Sequence, residues 1–276
     1  MLIPLLIVIG VFFVFPTGYT FYLSLFETRG VEISKFVGLD NYIFLLNYGT
    51  FLKAITNTFI YMIGIVSINF LLALGWAHLT YKPFKGVSIV RAIIVTPMLF
   101  IPAAACVIWN MLYQPEVGLI NHILEFIGFK RIPFLSNSQT ALLAVMITDI
   151  WGWTPFVYLI LLAGLQSLPK EPFEAAELDG ASSLQKFRYI TLPMLKGTIL
   201  IALLIKAVDT FKCVEYPWIM TKGGPGDASM ILGTLIYRTA FVEIHLGLAS
   251  AMAGIFFLLS LFLTVIILYY YIKRGI

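Results

Sequence analysis

Three ionisable residues, Asp149, Lys206 and Asp209, lie inside long apolar stretches of this 276-residue chain. A charge near the middle of a bilayer is costly unless it is paired or hydrated. A helical rise of about 1.5 Å per residue places Asp149 and Lys206 at similar depths, near the bilayer midplane. Two interpretations are open: these side chains give a permeation path a polar lining, or Asp149 and Lys206 form an ion pair that only joins two helices.

The charges after Lys206 continue as a row of alternating sign with three-residue spacing, formed by Lys206, Asp209, Lys212 and Glu215. Residues three apart are neighbours on a helix surface, so such a row partly neutralises itself. Alternatively, the helix ends early and leaves Lys212 and Glu215 outside it.

Tryptophan and asparagine side chains near these charges are candidates for contact with a sugar. Sugars stack their apolar C–H faces on aromatic rings, and Asn110 or Asp149 can bond to hydroxyl groups. Trp151 and Trp153 are two residues apart, about 200° around a helix, so they cannot line the same path. Alternatively, these tryptophans belong to an aromatic belt at the membrane interface, and this interpretation is favoured for Trp109.

Patterns of catalytic and metal-binding proteins are missing from the sequence. It contains no G-x-x-x-x-G-K-[ST] loop for ATP and no nucleophile–base–acid set, so we expect no enzyme. His78, His122 and His245 share no metal-ligand spacing and are read as interfacial polar residues. Cys106 and Cys213 fall in apolar stretches and are predicted to be buried and unpaired.

The composition predicts an integral membrane protein. Hydrophobic residues make up 60% of the chain and charged residues 12%, whereas soluble domains carry about 25% charged residues. The net charge of +4, without a basic cluster, argues against binding to nucleic acid.

An all-α polytopic protein is expected, with Pro97 and Pro102 bending its third span. Six apolar runs predict membrane-spanning helices at about 2–26, 58–79, 92–112, 141–165, 197–217 and 246–272. The first is read as a retained span, because its apolar run is too long for a signal peptide.

Lysine and arginine residues set the expected orientation. The loops on the same side as the termini, with the C-terminal tail, hold nine: Lys82, Lys85, Arg91, Lys170, Lys186, Arg188, Lys196, Lys273 and Arg274. The opposite loops are longer and hold seven: Arg29, Lys35, Lys53, Lys130, Arg131, Lys222 and Arg238. The roughly two-fold difference in density favours cytoplasmic termini by the positive-inside rule.

The polar loop at 166–196, between the fourth and fifth spans, contains EAAELDGASSLQKFRYITLP at 174–193. Pro172 and Glu174 suit the first turn of a helix, and Gly180 suits its end. Ser182 or its neighbour can cap a second short helix. We expect Pro193 to end that second helix before the fifth span.

This loop resembles the "EAA" loop of ATP-binding-cassette (ABC) importer permeases. The shared pattern is Glu174-Ala175-Ala176, three residues, Gly180, nine residues, Ile190, one residue and Leu192-Pro193. Further similarity to sugar and glycerol-phosphate permeases occurs, in order, in YLSLF at 22–26, FVGLDNY at 36–42, WNMLYQPEVGLIN at 109–121, WGWTPF at 151–156, LLAGLQSLPKEPFEAAELDGAS at 161–182 and TKGGPGDAS at 221–229.

The resemblance implies the type I fold of ABC importer permeases, with the first span and its external loop at 1–52, a core at 53–272 and a cytoplasmic tail at 273–276. It implies that a coupling helix in the 166–196 loop docks on a separate ATPase subunit. The residues implied in this contact are Glu174, Ala175, Ala176, Asp179, Gly180 and Leu184. Candidate residues of the substrate path are Asn110, Asp149, Trp151, Trp153, Lys206 and Asp209, and no metal ligands are expected.

The resemblance also implies that the chain lies in the cell membrane. The partners it implies are a second homologous permease, two ATPase subunits, an extracytoplasmic substrate-binding protein, membrane lipid and a carbohydrate cargo. ATP and Mg would be bound by the ATPase subunits, and this chain would bind no cofactor. One alternative is an ion-coupled secondary transporter that uses Asp149, Lys206 and Asp209 as a relay, although internal repeats typical of such folds are not seen. A membrane scaffold without cargo is the other alternative, but it would not need charges inside two spans.

Overall fold

The computed structural model describes residues 3–273, and most of the chain is helical. Met1, Leu2 and 274–276, with most of the expected C-terminal tail, lie outside the described residues. Five described helices are long and apolar enough to cross a membrane, and a bent pair of helices makes a sixth crossing if it is counted as one. The helical polytopic fold expected from the sequence is therefore confirmed.

The spanning helices follow the expected order. The crossings are α1 (Ile3–Leu23), α3 (Gly49–Thr80), the pair α4 (Val87–Leu99) and α5 (Pro102–Leu112), α7 (Ala141–Gln166), α9 (Ser183–Phe211) and α12 (Leu246–Lys273). Shorter helices lie between them: α2 (Asp40–Asn47), α6 (Leu119–Phe126), α8 (Glu171–Leu178), α10 (Glu215–Thr221) and α11 (Leu232–Val242). Because α3 begins nine residues before the expected span, the expected boundary between 52 and 53 falls inside a helix.

The third crossing is broken, not merely kinked. Helices α4 and α5 meet at an angle of 98°. Pro97 lies at the start of a tight 3₁₀ turn, Thr96–Leu99, and the chain is extended at Phe100 and Ile101 before Pro102 starts α5. A residue that precedes proline avoids the helical conformation, so Ile101 prevents a continuous helix.

A two-stranded antiparallel hairpin follows α1 and adds a small β element to a fold expected to be all-α. It consists of β1 (Phe26–Arg29) and β2 (Glu32–Phe36). The Thr28 hydroxyl accepts a 3.0 Å bond from the Gly247 amide, and a Cβ at Gly247 would lie only 2.0 Å from the Phe26 carbonyl oxygen. The missing side chain at Gly247 therefore lets the hairpin pack on the start of α12.

The core is formed where α3, α7 and α9 pack together. Residues such as Tyr158, Leu161 and Leu195 are fully buried there. A Cβ at Gly164 would approach the Thr198 side chain to 2.7 Å, so glycine permits the close approach of α7 and α9. By contrast, α1 exposes its apolar side chains and packs on α12 mainly through residues 15–23.

Helix α9 corrects two predictions about the fifth span. Pro193 does not end the short helix, which continues without a break into the span. A π-helical turn at Phe187–Thr191 precedes it, so Pro193 falls in the first turn of the next α-helical segment, where its missing N–H is tolerated. The span ends at Phe211, not near 217, as the early-ending alternative predicted.

Candidate functional site

A buried ion pair joins α7 to α9. The Lys206 ammonium lies 3.0 Å from Asp149 Oδ1, and each side chain is 2% exposed. The Tyr61 hydroxyl, from α3, donates a 2.9 Å hydrogen bond to Asp149 Oδ2. One carboxylate therefore connects three spans, and Tyr61 is a member of the site that charge spacing alone did not identify.

Trp153 provides a second contact for Lys206. The ammonium lies 5.1 Å from the centroid of the Trp153 ring, within the range of a cation–π interaction. Trp153 follows Asp149 by four residues on α7, so both side chains reach the same side of that helix. The Lys206 charge is thus enclosed between a carboxylate and an aromatic face.

A cavity of about 210 Å³ borders this ion pair. Asp149 and Trp153 line it from α7, and Asp209 lines it from the last turn of α9. The other lining residues are Pro102, Lys212, Cys213, Glu215 and Tyr216. The expected ion pair is therefore present, and Asp149 also borders a polar cavity, so its role in a permeation path stays a prediction.

The row of alternating charge does not continue along one helix. Helix α9 ends at Phe211, and Glu215 begins α10. In the part of the chain that the structure describes, Lys206 pairs across to α7 and not with Asp209. The prediction that the row neutralises itself along its own helix is wrong, because Asp149 provides the nearer partner.

Gly152 explains how Tyr216 reaches the cavity. A Cβ at position 152 would lie 2.7 Å from the Tyr216 hydroxyl. The glycine leaves room on α7 for this ring, which sits in the cavity wall. The sequence contained a usable signal here, since a glycine within a spanning helix often marks close packing.

Two other predicted path residues lie elsewhere. Asn110 borders a separate cavity of about 60 Å³ beside Tyr113 and Phe134. Trp151 packs in an aromatic group, with its ring centroid 5.8 Å from both Phe100 and Trp109. The spacing argument that separated Trp151 from Trp153 is confirmed, and only Trp153 reaches the charged cavity.

The polar loop between α7 and α9 folds as a helix, a turn and a second short helix. Gly180 ends α8 with a left-handed φ of 72°. Its amide donates to the Glu177 carbonyl at 3.1 Å, and the Ala181 amide donates to the Ala176 carbonyl at 2.9 Å. This paired arrangement is a helix C-terminal cap that favours glycine at the left-handed position.

The second helix is capped and tied to the first. Ser182 Oγ accepts a hydrogen bond from the Gln185 amide, and Gln185 Oε1 accepts one from the Ser182 amide. The Lys186 ammonium lies 2.7 Å from Glu177 Oε1. This hydrogen bond and the positive charge of Lys186 lower the pKa of Glu177. The loop is therefore a defined element and not a flexible connector.

The outer face of this element has no partner within the described chain. Glu174, Ala175, Asp179 and Gly180 are exposed. Two leucines point outward without cover: Leu184, which the sequence singled out, and Leu178, which it did not and which is 90% exposed. On the inner side, Phe187 meets the His78 ring of α3 edge-on at 4.8 Å. The element thus joins an uncovered face to the spanning helices.

Residues 1–276 match the family model described as "Binding-protein-dependent transport system inner membrane component". The chain belongs to this family. The resemblance identified in the loop and the neighbouring stretches is therefore confirmed, and the chain is a transport permease of the inner membrane and not an enzyme.

Curated relatives match this permease over nearly its whole length. It is 33% identical to the trehalose/maltose transport system permease protein MalF of Thermococcus litoralis, covering 100% of this chain and 92% of the relative. It is 31% identical to the sulfoquinovosyl glycerol transport system permease protein SmoG of Agrobacterium fabrum (97% and 88%). It is 30% identical to the sn-glycerol-3-phosphate transport system permease protein UgpA of Yersinia enterocolitica (96% and 90%).

Solved structures share the fold of the permease. A chain of a bacterial ABC transporter for the import of the acidic polysaccharide alginate matches with a TM-score of 0.85 and 21% identity, covering 100% of this chain and 95% of that one. The alginate transporter in complex with its alginate pentasaccharide-bound periplasmic protein matches with a TM-score of 0.83 and 22% identity, covering 97% and 91%. The expected permease fold of ABC importers is thereby confirmed.

Proposed function

We propose that this permease carries an uncharged saccharide through the path bordered by Asp149 and Trp153. The observation that supports this cargo is the charge around the cavity. Lys206 is neutralised by Asp149, while Asp209, Lys212 and Glu215 together leave one net negative charge. An anionic cargo would have to approach this surface at close range, where repulsion between like charges is strongest.

The chemistry of the cavity wall suits hydroxyl groups and sugar rings. Carboxylates such as Asp209 and Glu215 accept hydrogen bonds, and Trp153 and Tyr216 offer aromatic faces. The relatives include permeases named for uncharged sugars, trehalose and maltose, and for an anion, sn-glycerol-3-phosphate. The net charge of the cavity is the feature that favours the first kind of cargo here.

The importer would be completed by other subunits. The exposed face of α8 and its following turn would dock on an ABC ATPase, and a pair of ATPases would bind ATP and Mg, for which this sequence has no P-loop. A second permease would form the other half of the path, and an extracytoplasmic binding protein would deliver the cargo. Both termini would be cytoplasmic, as the loop charges indicate.

The ion-coupled alternative is not favoured. A relay through Asp149, Lys206 and Asp209 needs groups that exchange protons or ions with water, but two of the three, Asp149 and Lys206, are each 2% exposed and bonded to each other. The family is that of binding-protein-dependent systems, which supports ATP-driven uptake.

A thermal-shift screen of the cognate binding protein, followed by uptake into vesicles that contain the whole complex, tests this cargo. We expect neutral di- or oligosaccharides to raise the melting temperature and to be taken up, while sugar phosphates and uronates are not. The variant Asp209→Asn/Glu215→Gln should retain neutral uptake and increase the low uptake of an anionic analogue supplied at a concentration that occupies the binding protein. Lys212→Gln is the matched control and should not increase it. A complex that prefers the anion before any substitution would disprove the proposal.

A further inference from the structure

Helix α6 is fixed at the outer end of the third crossing by one buried side chain. Asn121 is fully buried, and its amide group donates to the carbonyl oxygens of Gln114 at 3.2 Å and Ile132 at 3.1 Å. Its Oδ1 accepts a 2.8 Å hydrogen bond from the Ile132 amide. These bonds hold one face of α6 against the chain segments before and after it.

The opposite face of α6 is apolar and uncovered. At 100° per residue, Leu119, Ile123 and Phe126 fall within about 60° of one another, roughly opposite Asn121. Their exposed fractions are 57%, 52% and 92%. The apolar strip continues into the next turn through two more exposed side chains, Ile127 and Phe129.

The start of α6 cannot move far from the membrane boundary. Only six residues separate it from the end of α5, and the Gly118 amide bonds to the Gln114 carbonyl at 3.0 Å. A Cβ at Gly118 would lie 2.4 Å from the carbonyl oxygens of Gln114 and Leu112, so the chain folds back tightly there. The strip therefore follows closely along the chain on the exposed, apolar end of α5, where Met111 is 67% exposed.

Basic residues follow the apolar strip. Arg131 pairs with Glu125 at 2.8 Å, on the polar flank of α6. Lys130 is exposed and forms no ion pair within the described residues. An apolar strip bordered by a free ammonium group matches the boundary between acyl chains and anionic headgroups.

We propose that α6 is an interfacial helix that inserts Leu119, Ile123 and Phe126 into the lipid leaflet on the side opposite the chain termini, with Lys130 at headgroup level. Insertion removes the most exposed side chain of the strip, Phe126, from water and anchors the broken third crossing at its outer end. The occupant of this face is lipid, and neither the second permease nor the binding protein covers it.

Photo-crosslinking in the assembled transporter tests this assignment. The complex is placed in vesicles of phosphatidylethanolamine and phosphatidylglycerol, with Phe126 replaced by benzoylphenylalanine. Glu125, exposed on the polar flank of the same helix about 100° from Phe126, receives the same replacement as the matched control. Both complexes must retain ATPase activity. We expect several-fold more phospholipid adduct, detected by mass spectrometry, at position 126 than at 125.

Other products at position 126 would overturn the proposal. A crosslink to the second permease or to the binding protein would assign the face to that partner. Equal amounts of lipid adduct at both positions would contradict the proposal that only the apolar face of α6 points into the lipid. In a second measurement, Phe126→Leu should preserve the protection of the α6 amides from hydrogen exchange in vesicles, whereas Phe126→Asp should reduce it. Equal protection in the two variants would also contradict lipid insertion.

Discussion

Replacing Lys206 with methionine is expected to lower the free energy of unfolding by about 3–5 kcal/mol, because a buried carboxylate then loses its counter-charge. Asp149 is 2% exposed and would retain only the hydrogen bond from Tyr61. For a chain of this size each kcal/mol corresponds to about 2–4 °C in the unfolding midpoint. Thermal unfolding of the purified permease measures the change.

The double variant Asp149→Asn/Lys206→Met should recover most of this loss. A neutral pair carries no uncompensated charge, and replacing both ions is often close to neutral for stability. Lys212→Met is the control, since Lys212 is exposed at the rim of the same cavity, and its effect should stay within about 0.5 kcal/mol. If the double variant were as unstable as the single one, the ion pair would not be the source of the effect.

Uptake by the same double variant separates the two roles of Asp149. We expect stability to return while cargo uptake stays several-fold below that of the native complex, because the cavity wall has lost a carboxylate. Full recovery of uptake together with stability would mean that the pair only joins α7 to α9.

The position of this site could be predicted from the sequence in part. Counting along two apolar runs placed Asp149 and Lys206 at one depth, and the structure brings them together. The contact with Tyr61 could not be predicted, because tyrosine is unremarkable in a spanning helix and the rotation of α3 is set by packing. The separate location of Asn110 depends on the break at Ile101, which changes the direction of the chain by 98°.

Helix ends were predicted less well than helix positions. The missing backbone N–H of Pro193 predicts an interruption of the helix. The π-helical turn before it instead places Pro193 in the first turn of the next α-helical segment, where no N–H donor is needed. The end of α9 at Phe211 was one of two alternatives that apolar content alone could not separate. By contrast, Gly180 and Ser182 were placed correctly, since both act through local backbone geometry.

Replacing Gly180 with valine should uncouple ATP hydrolysis from transport. The position has a φ of 72°, where a residue with a Cβ is strained by about 1–2 kcal/mol. Strain of this size lowers the equilibrium constant between the correctly folded turn and its other conformations about 5–30-fold. Uptake should fall by up to this factor while the assembled complex continues to hydrolyse ATP, as measured side by side in vesicles.

The open space around Gly180 means that a loss of uptake in Gly180→Val would come from strain in the turn and not from a clash with neighbouring atoms. A Cβ there would meet nothing within 4 Å in this chain, so valine causes no internal clash. Gly128→Val is the matched control, because Gly128 has a φ of 89° and equally open surroundings but lies outside the 166–196 loop. Gly180→Asn should retain more uptake than valine, since asparagine tolerates the left-handed conformation. Normal uptake by Gly180→Val would contradict a coupling role for this turn. Equal losses of uptake in Gly180→Val and Gly180→Asn would mean that the docking partner tolerates no side chain at this position.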